Sequence, residues 1–170
     1  MLIDFQKLTP CESYPWLINA INPRPIAWVS TISASGKTNL APFSFFQGVC
    51  ASPPTLLFTD ANDRHGKLKD SVVNVGQVPE FVVNFVPCAL REAMNQTSAP
   101  LPHGESEFEK FNIATAPSLR VRPPRVADAG APLIRRARAW AARPHPSPAS
   151  LHPSGPARLL SPARLSPASR

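Results

Sequence analysis

The fold is decided by Arg24-Pro25-Ile26-Ala27-Trp28-Val29-Ser30-Thr31 and by Asn39-Leu40-Ala41-Pro42-Phe43-Ser44-Phe45-Phe46, which follows it closely. Proline has no backbone N–H and a fixed φ, so Pro23 and Pro25 exclude a helix at the start of the first stretch. β-Branched and aromatic residues then dominate positions 26–32, which predicts a strand. Turn-forming residues at 33–37 separate this strand from a second extended segment that begins at residue 38.

Short strand and helix signals alternate through the rest of residues 1–126. The run at 43–49 is too apolar for a surface loop and too short to assign to a helix. The sequence predicts a buried strand at 56–59, an amphipathic helix at 67–75, a strand at 80–86, a helix that starts at Pro87 and covers 89–95, and a short helix that begins with the capping box Ser106-Glu107-Phe108-Glu109. Short connections between strands indicate antiparallel neighbours.

These elements predict a mainly β protein, an antiparallel β-barrel or sandwich with short peripheral helices. An alternation of strands and helices with a glycine-rich phosphate loop is missing from the pattern, which argues against a doubly wound fold. The pattern supplies too few strands to close a small barrel, which usually needs about five or more. We therefore expect the barrel to be incomplete at its C-terminal end, after Val126.

Charge and composition change abruptly near Asp128. Residues 1–128 contain 11 Lys plus Arg and 11 Asp plus Glu, so the whole formal net charge of +7 lies in residues 129–170. That segment is mostly Pro, Ala, Ser and Arg, and Trp140 is its only aromatic residue. It has too little apolar surface to offset the entropy of ordering. We therefore predict two parts, a domain at 1–128 and a disordered basic tail at 129–170.

The basic tail suggests three origins or roles. Its positive charge could bind nucleic acid or an anionic surface. However, it lacks the interleaved aromatics and clustered lysines that would favour nucleic acid. Arginine without lysine, together with Pro and Ala, is also the product of GC-rich DNA translated out of frame. We favour that last explanation, and we expect no nucleic-acid partner.

Reactive side chains are sparse in residues 1–128. Cys11, Cys50 and Cys88 are widely spaced, which predicts neither a disulfide framework nor a zinc site, and they are interpreted as partly buried thiols in a reducing compartment. His65 and His103 are each isolated in a polar loop and are interpreted as solvated.

The N-terminus resembles no secretory signal, and no apolar run approaches the ~20 residues of a membrane span. These features predict a cytoplasmic protein without a metal, whose chemistry is supplied by a bound cofactor.

The two opening stretches closely resemble the signature of the flavin reductase-like, FMN-binding split-barrel family. Further matching motifs follow in the same order: Ser52-Pro53-Pro54, Lys69-Asp70-Ser71 with Asn74, Glu80-Phe81-Val82-Val83-Asn84, Ala93-Met94-Asn95, Ser98-Ala99-Pro100 and Ser106-Glu107-Phe108. The resemblance runs from about Asp4 to about Val126. It implies a Greek-key split barrel that binds FMN, or FAD, at a homodimer interface and moves electrons between NAD(P)H and flavin, an oxygenase component or another redox partner.

The matched residues have the chemistry that a flavin requires. The segment from Ala41 to Phe46 offers apolar contact for the ring and polar groups for its edge. Lys69 and Ser71, near a helix start, can bind the 5′-phosphate. The resemblance thus implies the following cofactor-binding residues: Ser30, Thr31, Ala41, Pro42, Phe43, Ser44, Phe46, Arg64, Lys69, Asp70, Ser71 and Asn95. No residue is nominated as a catalytic acid or base.

Each of these residues also has a purely structural interpretation. The phenylalanines could be core residues, Lys69 a solvated charge, Ser71 a helix cap and Asn95 the end of its helix. A functional alternative stands beside the flavin reductase as well. If the strands expected after Val126 are missing, the chain could be a truncated, non-catalytic product that keeps the family signature without a competent site.

Overall fold

The computed structural model describes residues 2–59, 67–130 and 132–136 of the chain. The helices are α1 (Pro10–Ala20), α2 (Asp70–Gln77), α3 (Arg91–Gln96) and α4 (Glu107–Lys110), with 3₁₀ turns at Phe5–Lys7 and Cys88–Leu90. The strands are β1 (Ala27–Ile32), β2 (Thr38–Phe43), β3 (Phe46–Ala51), β4 (Pro54–Phe58), β5 (Glu80–Asn84), β6 (Thr115–Ala116), β7 (Arg125–Val126) and β8 (Leu133–Arg136).

A four-stranded antiparallel sheet in the order β2-β1-β5-β8 forms the centre of the fold. The register pairs Val29 of β1 with Ala41 of β2 on one side and with Val83 of β5 on the other. Two small antiparallel hairpins accompany this sheet, β3 with β4 and β6 with β7. The predicted mainly β, antiparallel fold with short helices is therefore confirmed.

The sheet is covered on both faces, which explains why five of the six residues of β1 are buried. Side chains alternate across a strand, so Val29 points to one face and Trp28 to the other. On one face Ala27, Val29, Phe43, Phe81 and Val83 form a cluster that the β3–β4 hairpin and α2 help to cover. On the other face the cluster consists of Trp28, Leu40, Phe108, Ile113 and Val126, covered by α3 and α4.

Helix α1 is the main element that the sequence did not predict. Its start is a true capping box: Thr9 Oγ1 accepts from the Glu12 N–H at 3.3 Å, and Glu12 Oε2 accepts from the Thr9 N–H at 2.9 Å. These hydrogen bonds hold the pKa of Glu12 below its ordinary value. At the other end Arg24 donates to the carbonyls of Ile18 and Ile21. Helix α1 is thus capped at both ends by side chains.

Several sequence expectations differ from the structure in detail. Ser106 precedes α4 as predicted, but its side chain makes no capping bond and instead pairs with Thr38 Oγ1 at 2.8 Å. Pro87 stands before a 3₁₀ turn, so the α-helix begins only at Arg91. The three cysteines are exposed rather than partly buried. Among the residues that the structure describes, none of the helices combines the length and the apolar composition needed to cross a membrane.

The boundary predicted at Asp128 requires a correction. Residues Leu133–Arg136, assigned from composition to a disordered tail, form β8 and pair with residues 80–83 of β5. Backbone pairing explains the difference, because a strand at a sheet edge is held by main-chain hydrogen bonds that composition does not report. The remainder of the predicted tail, residues 137–170, lies outside the described residues.

Candidate functional site

A cleft of about 290 Å³ opens between the edge strand β2 and the start of α2. The loop that follows α3 forms its other wall, and Glu107 at the start of α4 closes one side. It is lined by Asn39, Ala41, Pro42, Lys67, Leu68, Lys69, Asp70, Ser71, Thr97, Ser98, Ala99, Pro100, Leu101, His103 and Glu107. The cleft is therefore built from four of the motifs that the sequence places far apart.

The N-terminus of α2 gives the cleft a positive end. Lys69 occupies the N-cap position, and its side chain makes no capping hydrogen bond to the first turn. The first N–H groups of a helix have no intrahelical partners, and the helix dipole is positive there. The ammonium of Lys69 lies 5.7 Å from the centroid of the Phe43 ring, and Lys67 lines the same region. An anionic group fits this end of the cleft.

Two buried side-chain hydrogen bonds fix α2 against the sheet. Asn39 Nδ2 of β2 donates to Ser71 Oγ at 2.8 Å, and Asn74 Nδ2 donates to Thr31 Oγ1 of β1 at 3.1 Å. All four residues are buried. The position of the helix N-terminus relative to the sheet is therefore set by polar pairs inside the fold, where a lost partner is costly.

Asp70, the first residue of α2, binds the loop on the far side of the cleft. Its carboxylate contacts His103 Nδ1 and accepts from the Gly104 N–H at 2.9 Å. Asn39, Asp70 and His103 also line a second, smaller cavity of about 100 Å³ beside the β1–β2 turn. These three residues consequently form the wall between the two cavities.

Glu107 is a buried carboxylate that faces the cleft. Its Oε2 accepts from the Leu40 N–H at 2.8 Å, and only 7% of the residue is exposed. Burial raises the pKa of Glu107 above its ordinary value, and the negative charge of Asp70 raises it further, while the bond from Leu40 opposes both. The side chain thus fixes the middle of β2 next to Ala41 and Pro42.

The structure places five of the predicted cofactor residues in the cleft: Ala41, Pro42, Lys69, Asp70 and Ser71. The other predicted residues lie elsewhere. Ser30, which is fully buried, donates to the Pro124 carbonyl at 2.5 Å, and Thr31 is occupied by Asn74. Phe43 and Phe46 belong to the core on one sheet face.

Three predicted residues remain outside the cleft lining for other reasons. Ser44 is half-buried just after β2, and it does not line the cleft. Asn95 is exposed on α3, where its carbonyl accepts from the Ser98 hydroxyl at 2.6 Å. Arg64 lies outside the described residues.

Most of the far wall of the cleft is not indicated by the sequence. Thr97 to Leu101, His103 and Glu107 were not nominated, although Ser98-Ala99-Pro100 and Ser106-Glu107-Phe108 were noted as matching motifs. Glu107 follows a Ser in a capping-box pattern, which indicates a residue at the start of a helix. Its hydrogen bond from the Leu40 N–H joins the start of α4 to β2, and a contact between such distant residues is visible only in the structure.

Residues 20–141 match the family model described as the flavin reductase like domain. The chain belongs to the flavin reductase-like family. A protein of Aquifex aeolicus (strain VF5) is 42% identical to it over 116 residues, which are 68% of this chain and 59% of that protein. This flavin reductase-like chain thus spans about three fifths of the length of that curated relative.

Solved structures support the same family and fold. Nitrilotriacetate monooxygenase component B from Bacillus cereus is 31% identical, with a TM-score of 0.72 over 79% of this chain and 66% of that one. A flavin reductase with a split barrel domain from Shewanella frigidimarina is 22% identical, with a TM-score of 0.62 over 79% of this chain and 67% of that one. The second likeness supports the fold alone, and it agrees with the predicted split barrel.

Proposed function

We propose that this flavin reductase-like chain binds a flavin nucleotide and moves electrons between NAD(P)H and flavin, or onward to a partner protein. The observation that carries this proposal is the cleft, which joins an apolar wall at Ala41 and Pro42 to a cationic helix start at Lys69. A flavin nucleotide has the matching chemistry, a flat ring at one end and a phosphate at the other. FMN is the proposed flavin and FAD the alternative.

The residues that line the cleft carry the chemical groups that such a ligand needs. Lys69, with the first-turn N–H groups of α2, would bind the phosphate. Pro42 has no N–H and offers apolar surface to the ring, while the backbone of β2 beside it offers polar groups. The loop at 97–101 would cover the ligand from the other side and exclude water. This cleft therefore supplies binding, orientation and shielding.

The chemistry itself belongs to the cofactor: a bound flavin supplies a ring that takes up hydride from a nicotinamide. The chain contributes by holding two planar groups at reacting distance, which can account for a large part of the rate. No side chain of the cleft is assigned a proton-transfer role.

We also propose a homodimer, which the family resemblance implies and with which a cleft at the small end of ligand-site sizes is compatible. Whole-ligand sites usually measure about 300–1,000 Å³, and the cleft measures about 290 Å³. A single chain would hold the phosphate end and part of the ring, and a second copy would cover the remainder. We propose this arrangement for a protein acting in the cytoplasm, with free flavin, an oxygenase component or another redox protein as electron acceptor. Its similarity to nitrilotriacetate monooxygenase component B supports the oxygenase option.

A direct test is the absorbance spectrum of the purified chain before and after incubation with FMN, followed by NADH and NADPH oxidation assays. We expect protein-bound flavin bands, and oxidation of at least one nicotinamide. Lys69→Met should weaken FMN binding about tenfold or more, because it removes a charge-assisted contact to the phosphate. Lys7→Met is the matched control, since the Lys7 side chain is 83% exposed near the N-terminus.

Two results would contradict this proposal. Colourless protein that takes up neither FMN nor FAD would support the alternative, a truncated product without a competent site. Equal FMN affinity in Lys69→Met and Lys7→Met would show that the FMN phosphate does not bind at the start of α2.

A further inference from the structure

Asp70 poses an electrostatic problem for the proposed flavin site. It is the first residue of α2, so its carboxylate lines the same part of the cleft as Lys69, where the proposed phosphate would bind. Two anions in one site repel each other and weaken binding. A carboxylate at this position therefore needs a partner of its own if the site is to accept a phosphate.

The structure provides that partner in the loop after α3. One oxygen of Asp70 contacts His103 Nδ1, and the other accepts from the Gly104 N–H at 2.9 Å. Both carboxylate oxygens are thus used by the loop. The Asp70 side chain is 22% exposed and that of His103 is 54% exposed, so the pair lies at the rim, where a ligand can approach it.

The location of this pair separates it from an ordinary surface contact. Asp70 and His103 line both the cleft of about 290 Å³ and the neighbouring cavity of about 100 Å³. They also join the start of α2 to the loop that covers the cleft. The pair therefore controls both where the Asp70 charge lies and where the loop lies.

We infer that His103 is a positioning residue that pairs with Asp70, holds this carboxylate against the loop and so keeps the cleft receptive to the phosphate of a flavin nucleotide. This inference rests on the proposed function. It assigns a role to a histidine that the sequence pattern indicates only as a solvated loop residue.

Other charged groups around the pair do not change this assignment. Lys67 and Lys69 line the cleft, and Lys37 and Glu105 line the smaller cavity. Glu107 also lines the cleft, but its Oε2 accepts from the Leu40 N–H, so it has a partner of its own. All five stay constant in the variants below, which change only His103 and Asp70.

The test is isothermal titration calorimetry of four proteins, the wild type, His103→Ala, Asp70→Asn and the double variant, each with FMN and with riboflavin. Riboflavin has the ring without the phosphate. If His103 acts on the Asp70 charge, His103→Ala weakens FMN binding about fivefold and leaves riboflavin binding unchanged. Asp70→Asn removes the repelling charge, so the double variant regains the FMN affinity of the wild type or exceeds it.

Control variants exclude general effects. Glu92→Gln removes one negative charge from α3, outside the cleft lining, where the side chain is 76% exposed. It should change FMN affinity by less than twofold, since this exposed charge is screened by solvent and salt and has a neighbouring partner in Arg91. His103→Phe keeps a ring without a donor and should reproduce His103→Ala, which also covers the case that the alanine variant does not fold.

The outcomes separate this inference from the proposed function. If the wild type binds neither FMN nor riboflavin, the proposed function falls, and the inference falls with it. If the wild type binds both but His103→Ala weakens them equally, His103 merely supports the loop and only the inference is overturned. The same conclusion follows if the double variant binds FMN no better than His103→Ala does.

Discussion

Asn84 shows how one buried side chain can join three parts of the fold. Its Nδ2 donates to the Trp28 carbonyl at 3.0 Å, and its Oδ1 accepts from the Val126 N–H at 2.9 Å. Asn84→Ala leaves the buried Val126 N–H without this acceptor and removes one hydrogen bond to the Trp28 carbonyl. We expect it to lower the free energy of unfolding by about 2–4 kcal/mol, measured by urea denaturation.

The matched control for this change is Asn95→Ala, at an exposed position on α3. It should shift the free energy of unfolding by no more than about 0.5 kcal/mol. Equal effects of the two substitutions would show that the β1–β5–β7 contacts do not depend on the Asn84 amide.

The burial of Glu107 predicts that the free energy of unfolding depends on pH, and it fixes the sign of that dependence. Its pKa is raised above the ordinary value of 4.5, mainly by burial, so the folded protein binds this proton more tightly than the unfolded chain. The resulting stabilisation is full below pH 4.5 and is lost as the pH rises through the folded pKa. Glu107→Gln keeps an acceptor for the Leu40 N–H and cannot ionise.

Unfolding curves of the wild type and Glu107→Gln at several pH values test this prediction. The stability of the wild type relative to the variant should fall as the pH rises above 4.5. A difference that stays constant with pH would mean that Glu107 is not desolvated in solution.

At the residue scale, the sequence predicts one wall of the cleft and misses the other. Ala41, Pro42 and Lys69 belong to motifs whose residue types match a flavin, and all three line the cleft. Ser30 and Thr31 look like phosphate donors in the sequence, but both are buried and occupied by internal hydrogen bonds. Such pairings join residues 43 or 94 positions apart, and no local pattern reveals them.

At the element scale, β8 is the feature that determines how the chain can be shortened. Its pairing covers residues 80–83 of β5, and the family match extends to residue 141. A chain ending at residue 141 keeps β8, whereas one ending at Asp128 exposes the β5 edge, which favours aggregation. We expect the shorter chain to lose solubility and to unfold at a lower temperature.

Size-exclusion chromatography and thermal denaturation of the two shortened chains check this prediction. The chain ending at residue 141 serves as the control. If both chains stay soluble and unfold at the same temperature, β8 does not stabilise the sheet. The folded domain would then end at the composition break near Asp128.

The elements could be predicted where burial produces a clear pattern. β1 and β5 are covered on both faces and are rich in β-branched and aromatic residues, so the sequence predicts their bounds to within one or two residues. Helix α1 was missed because Pro10 and Pro15 lie inside it and none of its residues is buried. β8 was missed because arginines and prolines dominate the composition around it.

At the scale of the whole molecule, charge and site lie in different parts of the chain. The cleft is formed by residues between Asn39 and Glu107, whereas the formal net charge of +7 comes from residues beyond Asp128. Deleting residues 142–170 should therefore leave FMN affinity unchanged within about twofold, because the deletion removes none of the residues that line the cleft. Calorimetry of the full and shortened chains measures this.

A substantial loss of FMN affinity on that deletion would contradict the separation of charge from site. The same two proteins also test the weaker idea of nucleic-acid binding. Any binding that falls steeply with salt and disappears with residues 142–170 would assign that property to the basic segment.

The bond between Trp28 and Thr97 makes one indole an optical reporter of the cleft. Trp28 is fully buried, and its Nε1 donates to Thr97 Oγ1 at 2.9 Å, while Thr97 itself lines the cleft. An indole this close to a bound flavin would transfer its excitation energy to the ring. With Trp16 and Trp140 replaced by Phe, the remaining ultraviolet emission should be blue-shifted in the apoprotein and quenched as the cleft fills.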